Sequence, residues 1–407
     1  LSYTIFKLSG IINIRSRIVQ ESLSKLSSFT QEIFTGIQIV KSYAIQEQKS
    51  NQFNQLSEIN KTNQINLVKM QALFFPLMIL LIGVSNIFVI YIGGKQYLDG
   101  RIENIGIIAE FIIYVNMLTW PVASLGWISS IVQQAEASQK RINEFLKEKS
   151  EITNKTKAYK KLTGKIEFKN VSFTYSESKI QALKDVDFVI EQNKSLGLIG
   201  ITGSGKTTAL KLLTRMYNLN SGEILIDNKI ITEFDLESLR KQIGVVPQDS
   251  FLFSDSIINN IRFGDEKANK KEVEEVCKIA GIHDEIIKFK KGYDTILGER
   301  GVNLSGGQKQ RICIARALIK KPKILILDDC LSALDTETEL KVIKSLKNYI
   351  KNTTTIISSH RLSSVQNLDE IVVLGDGKII QKGNHEQLIK EKGYYKELFQ
   401  KQLTKKR

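Results

Sequence analysis

Gly200-Ile201-Thr202-Gly203-Ser204-Gly205-Lys206-Thr207, followed by Thr208, decides how the rest of this chain is read. The apolar run from Ser195 to Ile199 predicts a strand feeding it, and Thr207 to Met216 predicts the helix leaving it. Glycines at 200, 203 and 205 let backbone N–H groups turn inward on an anion, and the helix N-terminus adds partial positive charge. The stretch is a phosphate cradle, with Thr202 and Ser204 completing its wall. Lys206 would reach the β- and γ-phosphates of a nucleotide, Thr207 would offer its hydroxyl to Mg²⁺, and Thr208 would bond an α-phosphate oxygen. The alternative is a glycine-rich turn before a helix, and the downstream sequence argues against it.

A phosphate cradle needs a second element to hold the metal. Ile324-Leu325-Ile326-Leu327-Asp328 has that form, four apolar residues of a buried strand ending in a carboxylate that would hold Mg²⁺ through water. A core strand ending in Asp is commonplace alone but not beside a complete cradle. Between the two elements lies Leu304-Ser305-Gly306-Gly307-Gln308, then Lys309-Gln310-Arg311 and an alanine-containing helix to Lys320.

The chain has 407 residues, enough for two or more domains, and 42% hydrophobic content supplies a packed core. Its net charge is +15, but the lysines are spread along the chain, so charge alone does not indicate nucleic acid as a partner. A basic face beside membrane lipid accounts for it equally well. Cys277, Cys313 and Cys330 have neither metal-type spacing nor pairing logic and read as ordinary thiols of a reducing compartment.

From Ile11 to about Gln71 apolar residues recur at helical spacing without a proline, and Thr35-Gly36 is the one break. Ala72 to Gly94 carries no charge and is long enough for a bilayer core of about 30 Å, with Pro76 near its start. Phe111 to Ala135 is also uncharged but more polar, a weaker candidate span. Asp99-Gly100 turns the loop between them. Basic residues concentrate outside that loop, which puts both flanks in the cytosol. Ser150 to Thr163 is lysine-rich and reads as a linker. Short strands follow at 165–168, 171–173 and 186–190, and from Ser195 strands alternate with helices, the pattern of an α/β core with a β-rich edge.

The pentapeptide Leu304 to Gln308 at a helix start resembles the signature motif of the ATP-binding cassette family. The resemblance implies that the N–H groups of Ser305, Gly306 and Gly307, with Gln308 beside them, face the γ-phosphate of an ATP held by a second nucleotide-binding domain. Other marks fall in order. Tyr175 matches the aromatic that stacks on adenine. Gln248 in Val-Val-Pro-Gln matches the residue that senses Mg²⁺ and the membrane domain. Asp335 in Ser-Ala-Leu-Asp matches the D-loop, and His360 in Ser-Ser-His-Arg matches the switch histidine on the γ-phosphate. Singly, Tyr175 could be a strand aromatic and His360 a structural histidine; their joint order carries the weight.

Within that family the chain is similar to exporters with fused membrane and nucleotide-binding domains. Gly298-Glu299-Arg300-Gly301 looks like the segment with which exporters touch coupling helices, and Glu32 to Tyr43 resembles their second intracellular loop. On that mapping, residues 1–148 are a partial transmembrane domain. It holds the end of helix 4, a coupling loop near 33–43, helix 5 at about 44–94 and helix 6 at about 105–146. Residues 149–162 are linker and 163–405 the nucleotide-binding domain, with a helical signature subdomain. The chain begins at Leu1 without a signal peptide, and the mapping makes it a fragment lacking three transmembrane helices and most of a fourth. The resemblance implies an integral membrane protein with ATP and Mg²⁺ as cofactors and a second half-transporter subunit as partner.

One position departs from the family. The residue after the magnesium-site aspartate is usually a glutamate acting as general base; here it is Asp329. The shorter side chain withdraws the carboxylate from its water, and misplacing a base that far costs on the order of a hundredfold. Heterodimeric exporters often pair such an Asp with an intact signature, so the resemblance slightly favours a heterodimer over a slow homodimer. Three rivals remain: a soluble cassette ATPase on nucleic acid, opposed by the uncharged run at 72–94; a non-catalytic regulatory cassette, which Asp329→Glu would test; and a P-loop kinase, which has no use for Leu304 to Gln308. The transported substrate stays open among lipid, peptide and hydrophobic drug, with Asn86, Tyr91, Tyr114, Asn116, Trp120 and Trp127 as candidate contacts. For Asn116 a helix-to-helix hydrogen bond is the expected role.

Overall fold

Long stretches without a breaker become long helices in the computed structural model, which describes residues 2–154, 161–298, 301 and 303–404. Two units are present, Leu1–Lys149 and Ser150–Arg407. The first is built from α1 (Ser2–Thr35), α2 (Ile37–Ser42), α3 (Gln46–Leu98) and α4 (Gly106–Lys147). The break at Thr35-Gly36 proves to be a separate short helix. Gly36 still donates to Glu32 O, while Ala44 takes a left-handed φ of 52° that lets Ile45 N–H close back on Val40 O before α3 starts. α3 continues through Pro76, so the polar extension and the apolar stretch form one helix, roughly 80 Å long at 1.5 Å per residue.

α1 packs along α3, where Val19 and Leu67 are buried and Ser22 Oγ donates to Asn60 Oδ1 at 2.8 Å. Gly93 lets α3 lie close to α4, since a Cβ there would meet Ile108 Cγ1 at 3.0 Å. Among the described residues one helical stretch, Ile79–Leu98, is long and apolar enough to cross a membrane, and Gly106–Leu118 in α4 is a shorter apolar stretch. Asn116 Nδ2 donates to Ile112 O at 2.9 Å in its own helix, a local partner open to a helical side-chain amide, and among the described residues no hydrogen bond joins it to another helix.

In the second unit, a four-stranded antiparallel sheet runs β2-β1-β4-β5, with β1 (Ile166–Thr174), β2 (Gln181–Ile190), β4 (Ser221–Ile226) and β5 (Lys229–Ile230); β3 (Ser195–Gly200) belongs to the other sheet. The two strands expected at 165–168 and 171–173 are one, bulged where Asn170 takes φ 46°. The second sheet runs β10-β9-β3-β8-β7-β6, with β6 (Ile243–Val246), β7 (Ile324–Asp328), β8 (Thr354–Ser358), β9 (Glu370–Gly375) and β10 (Lys378–Gly383). Its strands are parallel except β10. β3, β7 and β8 are buried throughout, as expected of parallel strands covered on both faces. Side chains alternate between two cores: Leu196, Leu198, Ile324 and Ile326 face one, Ile199, Leu325 and Leu327 the other.

The helices of this unit are α5 (Lys206–Leu213), α6 (Leu236–Lys241), α7 (Ile257–Arg262), α8 (Lys270–Ile279), α9 (His283–Ile286), α10 (Gly306–Leu318), α11 (Thr336–Ile350), α12 (His385–Lys390) and α13 (Tyr394–Thr404). α7, α8 and α10 pack together as a helical subdomain over one face of the parallel sheet. All three cysteines are buried and unpaired. Before β1, Asp227 accepts hydrogen bonds from the hydroxyl and N–H of Thr163 and from the N–H groups of Gly164 and Lys165, pinning the incoming chain to the β4–β5 turn. Glu299 and Arg300, expected to touch coupling helices, lie outside the described residues, as do 155–160 of the expected linker.

Candidate nucleotide site

β3, β8 and β7 are adjacent and parallel, so their C-terminal ends bring three loops to one edge of the sheet, where ligands of open α/β sheets bind. The loop after β3 is the glycine-rich stretch. Gly205 has φ 101°, and a Cβ there would lie 2.4 Å from Ala182 O; a Cβ at Gly200 would lie 2.2 Å from Leu374 O. Both positions therefore require glycine. Ser204 and Gly205 are buried, while Thr202 and Gly203 stand exposed at the loop tip.

Lys206 is 7% exposed and folds over its own loop, its Nζ donating to Gly200 O at 2.8 Å and Ile201 O at 2.9 Å. Burial pushes its pKa down, while the charges of Asp329 and Asp328 pull it back up. Thr207 Oγ1 donates to Asp328 Oδ1 at 3.2 Å, and Ser358 Oγ at the end of β8 donates to the same oxygen at 2.6 Å. Hydroxyl and carboxylate oxygens are the hard donors that Mg²⁺ takes alongside phosphate oxygens. Among the described residues no three His, Cys, Asp or Glu side chains gather into an all-protein metal cage, which a magnesium nucleotide does not need.

Asp329 follows with a left-handed φ of 45°, its N–H donating to Ser358 O at 3.0 Å. Burial raises its pKa, opposed by the His360 charge and by the His360 N–H that faces its carboxylate. Lys206, Thr207, Asp328, Asp329 and His360 thus converge. The Thr208 hydroxyl is 3.0 Å from Tyr175 OH, which joins the cradle to the aromatic expected at the adenine. Tyr175 stands edge-on to Phe173 and Tyr217. Gln248 is exposed on the loop after β6.

Ser305 caps α10 in a reciprocal box: its Oγ accepts the Gln308 N–H, and Gln308 Oε1 accepts the Ser305 N–H at 3.0 Å. The Ser305 N–H, expected to face a phosphate, is therefore engaged within the chain, leaving the exposed Ser305 side chain and the Gly306 and Gly307 N–H groups. Gln308 is held at both ends, since its Nε2 donates to Glu285 Oε2 at 2.9 Å. Asp335 caps α11 by accepting the Thr338 N–H, which lowers its pKa. Among the described residues no hydrogen bond joins the α10 N-terminus to the loop after β3.

Several residues that matter to the geometry carried no motif. Arg361 donates to Ser332 O and Leu334 O, tying the switch loop to the D-loop, and pairs with Glu339, which is 0% exposed. Gln310 Oε1 accepts the Ala333 N–H from the other side. Ser358 and Arg361 were visible only as the two ends of Ser-Ser-His-Arg; nothing in the sequence singled out Glu339 or Glu285.

Known proteins bear directly on this geometry. A family profile described as "ABC transporter" matches residues 183–332, and one described as "ABC transporter transmembrane region" matches 3–122. The multidrug resistance-like ATP-binding protein MdlA of Buchnera aphidicola subsp. Schizaphis graminum is 40% identical over 95% of this chain and 66% of its own length. The ATP-dependent lipid A-core flippase of Syntrophus aciditrophicus is 35% identical over 98% of this chain and 67% of its own. The chain belongs to the ABC transporter family. This ABC transporter spans about two thirds of the length of those curated relatives. A bacterial Atm1-family ABC exporter solved with ATP bound superimposes with a TM-score of 0.86 at 28% identity, covering 98% of this chain and 70% of that one. The motif-based resemblance is borne out, as is the expected order: a helical membrane region, then an α/β ABC ATPase domain.

Proposed function

We propose that this ABC transporter is one subunit of an ATP-driven exporter, multi-pass in the membrane with its nucleotide-binding domain in the cytoplasm. The convergence of Lys206, Thr207, Asp328, Asp329 and His360 at the ends of β3, β7 and β8 carries this reading. The N–H groups of the loop from Gly200 to Gly205 and the Lys206 ammonium hold the β- and γ-phosphates. Thr207 and Asp328 would hold Mg²⁺, with Gln248 as a further candidate ligand, and Ser358 fixes the Asp328 Oδ1 that Thr207 also reaches. Bound there, Mg²⁺ supplies charge neutralisation on the phosphate oxygens. Asp329 accepts a proton from the attacking water, whose oxygen bonds the γ-phosphorus as the bond to the β–γ bridging oxygen breaks; ADP leaves with that electron pair. His360 steadies the γ-phosphate, and Tyr175 lies against the adenine.

Ser305, Gly306 and Gly307 close the nucleotide of a second subunit, so two composite sites form. ATP favours the closed pair over the open one, and that differential affinity drives the conformational change. Asp329, with a shorter reach than the usual glutamate and a pKa raised by burial, favours an unlike partner carrying the faster site. An apolar or amphipathic cargo, lipid or drug, is supported by relatives named for multidrug resistance and lipid A-core flipping.

The test is ATP hydrolysis in lipid by the protein alone and mixed with a candidate second subunit. If activity appears only in the mixture and Ser305→Ala removes it, the composite-site reading holds for an unlike pair; if Ser305→Ala has no effect in either setting, the composite site is wrong.

A further inference from the structure

The switch loop is gripped from a direction that none of the nucleotide motifs explains. Gln402, near the end of α13, donates from Nε2 to His360 O at 2.9 Å and accepts the Leu362 N–H on Oε1 at 3.0 Å. One side-chain amide therefore satisfies the backbone on both sides of Arg361, as a neighbouring strand would. The helix bearing it is anchored: Tyr395 is fully buried, its N–H donates to Gln381 Oε1 at 3.0 Å, and its hydroxyl lies 2.7 Å from His385 Nδ1. On the opposite side Arg361 reaches Ser332 O, Leu334 O and Glu339. The peptide carrying His360 is thus stretched between the D-loop and the C-terminal helix.

We propose that Gln402 is a positioning residue for His360, and that α13 acts as a clamp setting the switch histidine against the γ-phosphate. The proposal rests on the reading of His360 given above. The amide fixes two peptide planes at once, so its loss leaves the carbonyl of the His360–Arg361 peptide without this donor, and that peptide is then held through the Arg361 N–H on Ser359 Oγ at 2.9 Å and through the Arg361 side chain. A γ-phosphate contact is sensitive to a displacement of that peptide, and nucleotide affinity, set by the loop after β3, is not. Gln402→Glu is the sharper variant, because it keeps an acceptor for Leu362 but sets a carboxylate oxygen against His360 O.

The experiment compares wild type, Gln402→Ala, Gln402→Glu, His360→Ala and the Gln402→Ala/His360→Ala double variant in the whole protein in lipid, with the second subunit present where hydrolysis requires one. Expected are an about tenfold fall in kcat for Gln402→Ala, at least as large for Gln402→Glu, with KM for ATP within about twofold and the melting temperature unchanged. The double variant should be no slower than His360→Ala alone, because both changes act through one group. Amide exchange at Leu362 should accelerate in Gln402→Ala, a readout independent of turnover. Unchanged kcat in both Gln402 variants, or a double variant slower by the product of the single effects, overturns the proposal. A wild type whose hydrolysis does not depend on Lys206 overturns the underlying reading instead, and the clamp's catalytic role with it, even where exchange at Leu362 changes.

Discussion

Thr207 Oγ1 and Asp328 Oδ1 lie 3.2 Å apart although 121 residues separate them in the chain. The contact exists because β3 and β7 flank β8 in a parallel sheet, so both residues emerge at the same edge. Replacing Asp328 by Asn should leave Ser358 and Thr207 without their charged acceptor and lower Mg²⁺-dependent ATP hydrolysis by at least about a hundredfold. ATP binding measured with and without magnesium checks this; the variant should lose the magnesium-dependent part of the affinity.

Asp329→Glu should raise turnover. The added methylene returns the carboxylate toward the attacking water, and a gain of about tenfold or more is expected in kcat with little change in KM. Steady-state kinetics decide it, and a fall in kcat would show that the local backbone, with its left-handed Asp329, suits only the shorter side chain.

Gly205→Ala should damage the cradle through the backbone. The new Cβ would sit 2.4 Å from Ala182 O at φ 101°, and relieving both clash and strain should cost about 3 kcal/mol. A lowered melting temperature with loss of ATP binding is the expected result.

Asp227 should make stability depend on pH. Burial pushes its carboxyl up, but the hydrogen bonds from Thr163, Gly164 and Lys165 outweigh that and hold it below the usual carboxylate range. A depressed folded pKa contributes stability above the unfolded value, near about 4, and loses it as pH falls through the folded value. Asp227→Ala should therefore destabilise the protein by about 2 kcal/mol at pH 7, a difference that shrinks as the pH falls through the folded value. Chemical denaturation at neutral and at acid pH measures it.

Much of the site was legible because its parts are contiguous. The loop from Gly200 to Thr208, the strand ending in Asp328 and the pentapeptide at Ser305 each place several chemical groups by local geometry alone. What tertiary packing supplies was not legible. Ser358 shares an oxygen of Asp328 only because β8 lies between β3 and β7, and Gln308 is held by Glu285 from a different helix. The single strand β1 was read as two because the bulge at Asn170 interrupts its alternation. The α2–α3 turn was hidden because it places Ala44, not a glycine, in the left-handed region.

The most direct test of the whole account separates binding from hydrolysis at one site. ATP binding and Mg²⁺-dependent hydrolysis would be measured in lipid for wild type, Lys206→Ala and Asp329→Asn. The account predicts that Lys206→Ala loses both at this chain's own site, while Asp329→Asn keeps ATP binding there and loses the hydrolysis that this site contributes. Hydrolysis at this site that survives intact in Asp329→Asn would contradict it.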